Sequence, residues 1–145
     1  MFQEVHLADT NAAYLEAVKT RLSKFSVEVK TYHGEAANQI DAVLNSLNPY
    51  GLHFAFLDPF ALSPLSFAII KKLCALKHID LLIHVSLYDM QVNYHNLLRE
   101  DNPILDRFAP GWRDKVNITG NQKATRIAIV SHWTDLMKLS GVESA

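Results

Sequence analysis

The sequence predicts an α/β fold: a three-layer, Rossmann-like and mainly parallel sheet with helices on both faces. Three observations lead there. Short apolar runs alternate with longer stretches of helical period along the 145 residues, which is the pattern of a parallel sheet covered by helices. The composition is 49% hydrophobic and 20% charged, which is that of a globular chain rather than a disordered one. No repeat, low-complexity tract or linker interrupts it, so residues 1–145 read as a single domain with one core.

The elements follow in order. Val5-His6-Leu7-Ala8 is a first strand ending in Asp9. Thr10 is placed to cap a helix over about 11–25, with Leu15, Val18, Leu22 and Phe25 as its inward stripe. The β-branched run Val27-Glu28-Val29-Lys30-Thr31-Tyr32 is a second strand, closed by His33-Gly34. Ala36, Ile40, Val43, Leu44 and Leu47 share one face of a second helix, which Asn48-Pro49-Tyr50-Gly51 breaks. The third strand, His53-Phe54-Ala55-Phe56-Leu57, is apolar on both faces and is therefore expected at the centre of the sheet. Ser63-Pro64 is a cap and first turn for a helix reaching about Lys77. A fourth strand spans residues 79–85, and a helix spans about 89–99. A short turn at 104–108 precedes the loop Ala109-Pro110-Gly111-Trp112. The last helix covers about 121–139, with Gly141 as its stop.

The formal net charge is -1, so no global positive field holds nucleic acid nonspecifically. Arg107, Arg113, Lys115, Lys123 and Arg126 make the last third locally basic, which leaves nucleic-acid contact open. A single cysteine, Cys74, forms no intrachain disulfide. With no basic-then-apolar leader at the start, the expected location is cytoplasmic. The longest apolar runs fall far short of the ~20 residues a membrane helix needs, so no membrane is expected.

In sheets of this kind ligands sit beyond the carboxyl ends of the strands. That rule selects Asp9, His33, Asp58 and His84, one at each strand end. Asp9 stands where nucleotide-binding sheets place an acid for ribose hydroxyls, or else it caps the following helix. In Asp58-Pro59-Phe60, proline fixes the turn and leaves carbonyls free. The acid and the aromatic are then placed to hold and stack a planar amine, or the segment is only a capping turn. His33 and His84 read as core histidines or as general bases; no metal is expected, because no ligand spacing accompanies them. Trp112 is either a stacking platform or a buried anchor for its loop.

Four blocks in order, Phe54-Ala55-Phe56-Leu57-Asp58-Pro59-Phe60, Asp80-Leu81-Leu82-Ile83-His84-Val85-Ser86, Asp89-Met90-Gln91-Val92-Asn93 and Phe108-Ala109-Pro110-Gly111-Trp112-Arg113, resemble the three-Cys-motif partner protein family. The resemblance implies a fold similar to class I S-adenosylmethionine-dependent methyltransferases. Under it Asp9 and His33 stand on the cofactor side, with Asp9 as the ribose acid. Asp58, Pro59, Phe60 and His84 stand on the catalytic side, where Asp58-Pro59-Phe60 matches the target-amine motif of amino-methyltransferases. Two departures accompany it. Val92 stands where relatives carry arginine, and no Gly-x-Gly-x-x-Gly turn exists anywhere in the sequence. The expectation is a truncated methyltransferase-like domain, partial or inactive alone, that lacks the strand between those ending in Asp9 and Asp58. Its sheet would then be completed by self-association or by a partner chain. Two other readings are a noncatalytic module assembling through its sheet edge or C-terminal helices, and a hydrolase using Asp58 with His33 or His84.

Overall fold

The computed structural model describes residues 2–142. It is an α/β protein whose chain divides into two compact units, Met1–Asn48 and Pro49–Ala145. No helix among the described residues is long and apolar enough to cross a membrane.

The first unit is one βαβα run. Strands β1 (Glu4–Asp9) and β2 (Glu28–His33) pair in parallel, from Glu4 opposite Glu28 to Asp9 opposite His33. Helix α1 (Ala12–Leu22) connects them and α2 (Ala36–Ser46) follows. The N-cap of α1 is Asn11, not Thr10: the Asn11 side chain accepts from the Ala13 and Tyr14 amides, satisfying donors the first turn leaves free. Leu15 and Ile40 are the buried apolar residues of this unit among those described. Polar contacts carry much of the rest. The Tyr32 hydroxyl lies 2.6 Å from Ser46 Oγ and 3.0 Å from His6 Nδ1, and Lys30 Nζ donates to Glu4 at 2.9 Å. His6 Nε2 sits 3.4 Å from the same carboxylate but without hydrogen-bond geometry.

The second unit holds the main core. Strands β3 (His53–Leu57) and β4 (Ile79–Ile83) pair in parallel, His53 opposite Ile79 through Leu57 opposite Ile83. Between them runs α3 (Phe67–Cys74), and after them come α4 (Leu87–Val92), α5 (Tyr94–Leu97), α6 (Ile104–Phe108), α7 (Trp112–Lys115) and α8 (Gln122–Leu139). Leu62, Ile70, Met90, Leu105, Phe108, Trp112 and Ile129 are almost wholly buried and form one cluster. Leu57, Leu81 and Ile83 pack against it from one face of the strand pair. Phe108 stacks on Trp133 with ring centroids 5.4 Å apart. Trp112 is thus the buried anchor of its loop, and its indole N–H donates to Asp106. Gly111 sits at φ 77° immediately before it, a conformation that suits glycine.

Several expectations change. The strands form two separate pairs rather than one continuous sheet, so only the α/β class and the parallel pairing of the expected three-layer sheet are seen. β3 has one neighbour and is not central. Its residues Phe54 and Phe56 are 53% and 57% exposed, because only one face of the pair is covered. The helix expected from Ser63 begins at Phe67, because Ser66 supplies the cap to the Ala68 amide. Leu62 and Leu65 are instead drawn into the core as a preceding turn. The helix expected from Asp89 starts at Leu87, where Ser86 Oγ accepts from the Asp89 amide.

Phe108 has no exposed surface, so Phe108→Ala should destabilise the second unit by about 3–5 kcal/mol, measured by denaturant unfolding. In the first unit the Lys30 hydrogen bond, aided by His6, holds the Glu4 carboxyl below its ordinary 4.5. A lowered pKa stabilises above the unfolded value and is lost as pH falls through the folded one. Glu4→Gln should therefore flatten the fall in stability below about pH 4.5, followed by thermal melting across an acid series.

Candidate functional site

The carboxyl end of the β3–β4 pair carries the clearest constellation. The ladder runs one residue past the strands, because the His84 amide donates to the Leu57 carbonyl at 2.8 Å. That register sets Asp58 and His84 side by side. His84 Nδ1 lies 2.7 Å from Asp58 Oδ1. A carboxylate only accepts, so Nδ1 carries the proton and Nε2 is turned away from the acid. The side chains are 57% and 58% exposed. A pair this open contributes about 0–1 kcal/mol to folding, so it is placed to meet solutes rather than to hold the fold.

Pro59 is half-buried, whereas the Phe60 ring beside it is 87% exposed. An aromatic left in water next to an acid–imidazole pair offers a flat apolar face within reach of a hydrogen-bonding edge. Asp89 closes the corner from behind. Its Oδ2 accepts from the Leu62 amide at 2.9 Å and its Oδ1 from Asn93 at 2.7 Å. Asp89 and Asn93 thus tie the loop after Phe60 to α4, instead of facing the rim as expected. Tyr88, on the first turn of α4, is 77% exposed. Sequence reasoning passed over it, and its only signal was an aromatic two residues past a capping serine.

The other two strand ends lie in the first unit. Asp9 and His33 stand opposite one another in the β1–β2 register, yet their side chains do not bond to each other. Asp9 Oδ1 accepts from the Asn11 amide at 2.6 Å, while His33 Nε2 meets the Thr10 carbonyl at 3.0 Å. Both brace the turn into α1. Gly34 follows at φ 140°, where a Cβ would come within 2.8 Å of Gln39 Nε2. Sequence reasoning also missed the Glu4, His6, Tyr32 and Ser46 network, whose trace was polar side chains at inward strand positions.

The basic residues of the last third are partly committed. Arg113 lies over the Trp112 ring at 4.6 Å and bonds both oxygens of Asp106 and the Arg99 carbonyl. Arg126 donates to the Leu87 carbonyl and to Gln91. Arg107, Lys115 and Lys123 are exposed. Among the described residues no group of three or more His, Cys, Asp or Glu is arranged to hold a metal ion. Cys74 is half-buried at the end of α3, and burial pushes its thiol up, away from the reactive thiolate. No family model, curated protein or solved structure matches this chain.

The open setting of His84 against the 9% exposure of the His6 side chain has a direct readout. Diethylpyrocarbonate should modify His84 well before His6, as resolved by peptide mass spectrometry.

Proposed function

We propose that the chain is a methyltransferase-like domain of the three-Cys-motif partner type, whose Asp58–His84–Phe60 corner grips a planar, amine-bearing base. The observation that carries this reading is the 2.7 Å Asp58–His84 contact at adjacent parallel strand ends beside an exposed Phe60. Asp58 Oδ1 is occupied by the imidazole, so Oδ2 is the oxygen left to accept an amine N–H. Phe60 supplies the stacking face, and the Pro59 ring fixes the turn that presents both. His84 orients the carboxylate and, with Nε2 directed away, is placed to accept a proton released from the amine.

S-adenosylmethionine fits the chain only in part. Asp9 keeps one carboxylate oxygen clear of the Asn11 amide for a ribose hydroxyl. However, the turn after β1, Asp9-Thr10-Asn11, has no glycine that would let backbone approach a cofactor. No step is therefore routed through it, and on this reading binding by this chain alone is weak. A second reading, a noncatalytic interaction module, is favoured by a separate observation: Phe54, Phe56 and Leu82 form an exposed apolar face on β3–β4.

Cytidine and adenosine carry an exocyclic amine that uridine lacks. Both should shift the His84 ring resonances in nuclear magnetic resonance titrations, and uridine should not. Losing a hydrogen bond to a charged group costs about 1.5–3 kcal/mol, so Asp58→Ala should weaken cytidine binding roughly tenfold or more. Equal binding of uridine and cytidine would sink the amine-gripping role.

A further inference from the structure

We propose that two copies of this chain associate by setting helix α1 of one copy against the outer face of the β3–β4 pair of the other. That face is made by Phe54 and Phe56 on β3 and by Asp80 and Leu82 on β4, with Phe54 opposite Asp80 and Phe56 opposite Leu82. The three apolar side chains are 53%, 57% and 54% exposed, and Asp80 is exposed among them. Parallel strands are normally covered on both faces; here the core covers one. Asp80 is the single charge on this face, and it has no ion-pair partner among the described residues. The surface therefore fits an apolar helix that carries one cation.

The outward stripe of α1 has that character. Tyr14, Ala17 and Arg21 recur at helical spacing and all are exposed, Tyr14 at 64%. Phe25, also 64% exposed, extends the apolar surface past the helix end. Arg21 likewise has no ion-pair partner among the described residues. The dimensions agree: α1 has 11 residues and each strand has 5, and both lengths come to about 16 Å. Packing the two sheet faces directly on one another is disfavoured, because it leaves two Asp80 carboxylates unpaired against apolar side chains. A reciprocal twofold arrangement uses the contact twice and closes the assembly as a dimer. The contact is independent of Asp58 and His84, so its failure leaves the amine-gripping reading untouched.

Size-exclusion chromatography with light scattering tests it, with the full chain taken from about 1 to about 500 µM, a span over which mass action would shift a dimer. The mass should rise from 16.4 kDa toward twice that value. Asp80→Arg and Arg21→Asp should each weaken association roughly tenfold or more, and the double variant Arg21→Asp/Asp80→Arg should recover most of it. Leu82→Gln, which leaves the charge in place, should weaken it as well and serves if a charge-reversed chain fails to fold. A monomer at every concentration overturns the proposal. So does association unchanged by Asp80→Arg, or a double variant no better than the singles.

Discussion

The parallel ladder between β3 and β4 is the constraint on which the site depends. Its register, with Leu57 opposite Ile83, decides which side chains face the core and which residues leave the strands together. Because side chains alternate with a period of two, a slip of one residue would turn Leu81 and Ile83 out of the core. It would also part Asp58 from His84. The same hydrogen bonds that hold the sheet thus fix the chemistry at its end, and the core behind one face holds the register.

The two units rest on different physics. In the second, seven side chains at or near complete burial make one apolar cluster, and polar contacts such as Trp112 to Asp106 finish it. In the first, Leu15 and Ile40 are the buried apolar residues among those described. There Glu4, His6, Lys30, Tyr32 and Ser46 fasten strand to strand and strand to helix. A two-stranded unit with so little apolar burial is near the limit of independent stability. Its ion pair adds only a small, pH-dependent term.

Much of the local structure was legible in the sequence. All four strands were placed within one or two residues, because β-branched and apolar runs bounded by Asp, Gly and Asn leave a strong signal. The strand-end rule selected Asp58 and His84 separately, and the ladder shows why they meet. The capping residues were less legible. Thr10, Asn11, Ser63 and Ser66 are all plausible caps, and the choice is made by which leucines the core takes in. Burial was least legible of all. Phe54 and Phe56 look like the inside of a sheet in any one-dimensional pattern, since alternation cannot say whether a second layer exists. Asp89 was read as a rim residue because its partner, the Leu62 amide, lies 27 positions away.

The spacing of the paired strands has a consequence for how the chain folds. Glu4 pairs with Glu28, a separation of 24 residues, and His53 pairs with Ile79, a separation of 26. Loop-closure entropy grows only as (3/2)RT ln n, so the two closures differ by about 0.1 kcal/mol. Chain entropy therefore favours neither ladder over the other. Which one forms first depends on what rewards the closure, and the apolar cluster behind β3–β4 offers far more than Leu15 and Ile40. The order of folding is then written in side-chain burial rather than in topology, with the second unit nucleating and the first following.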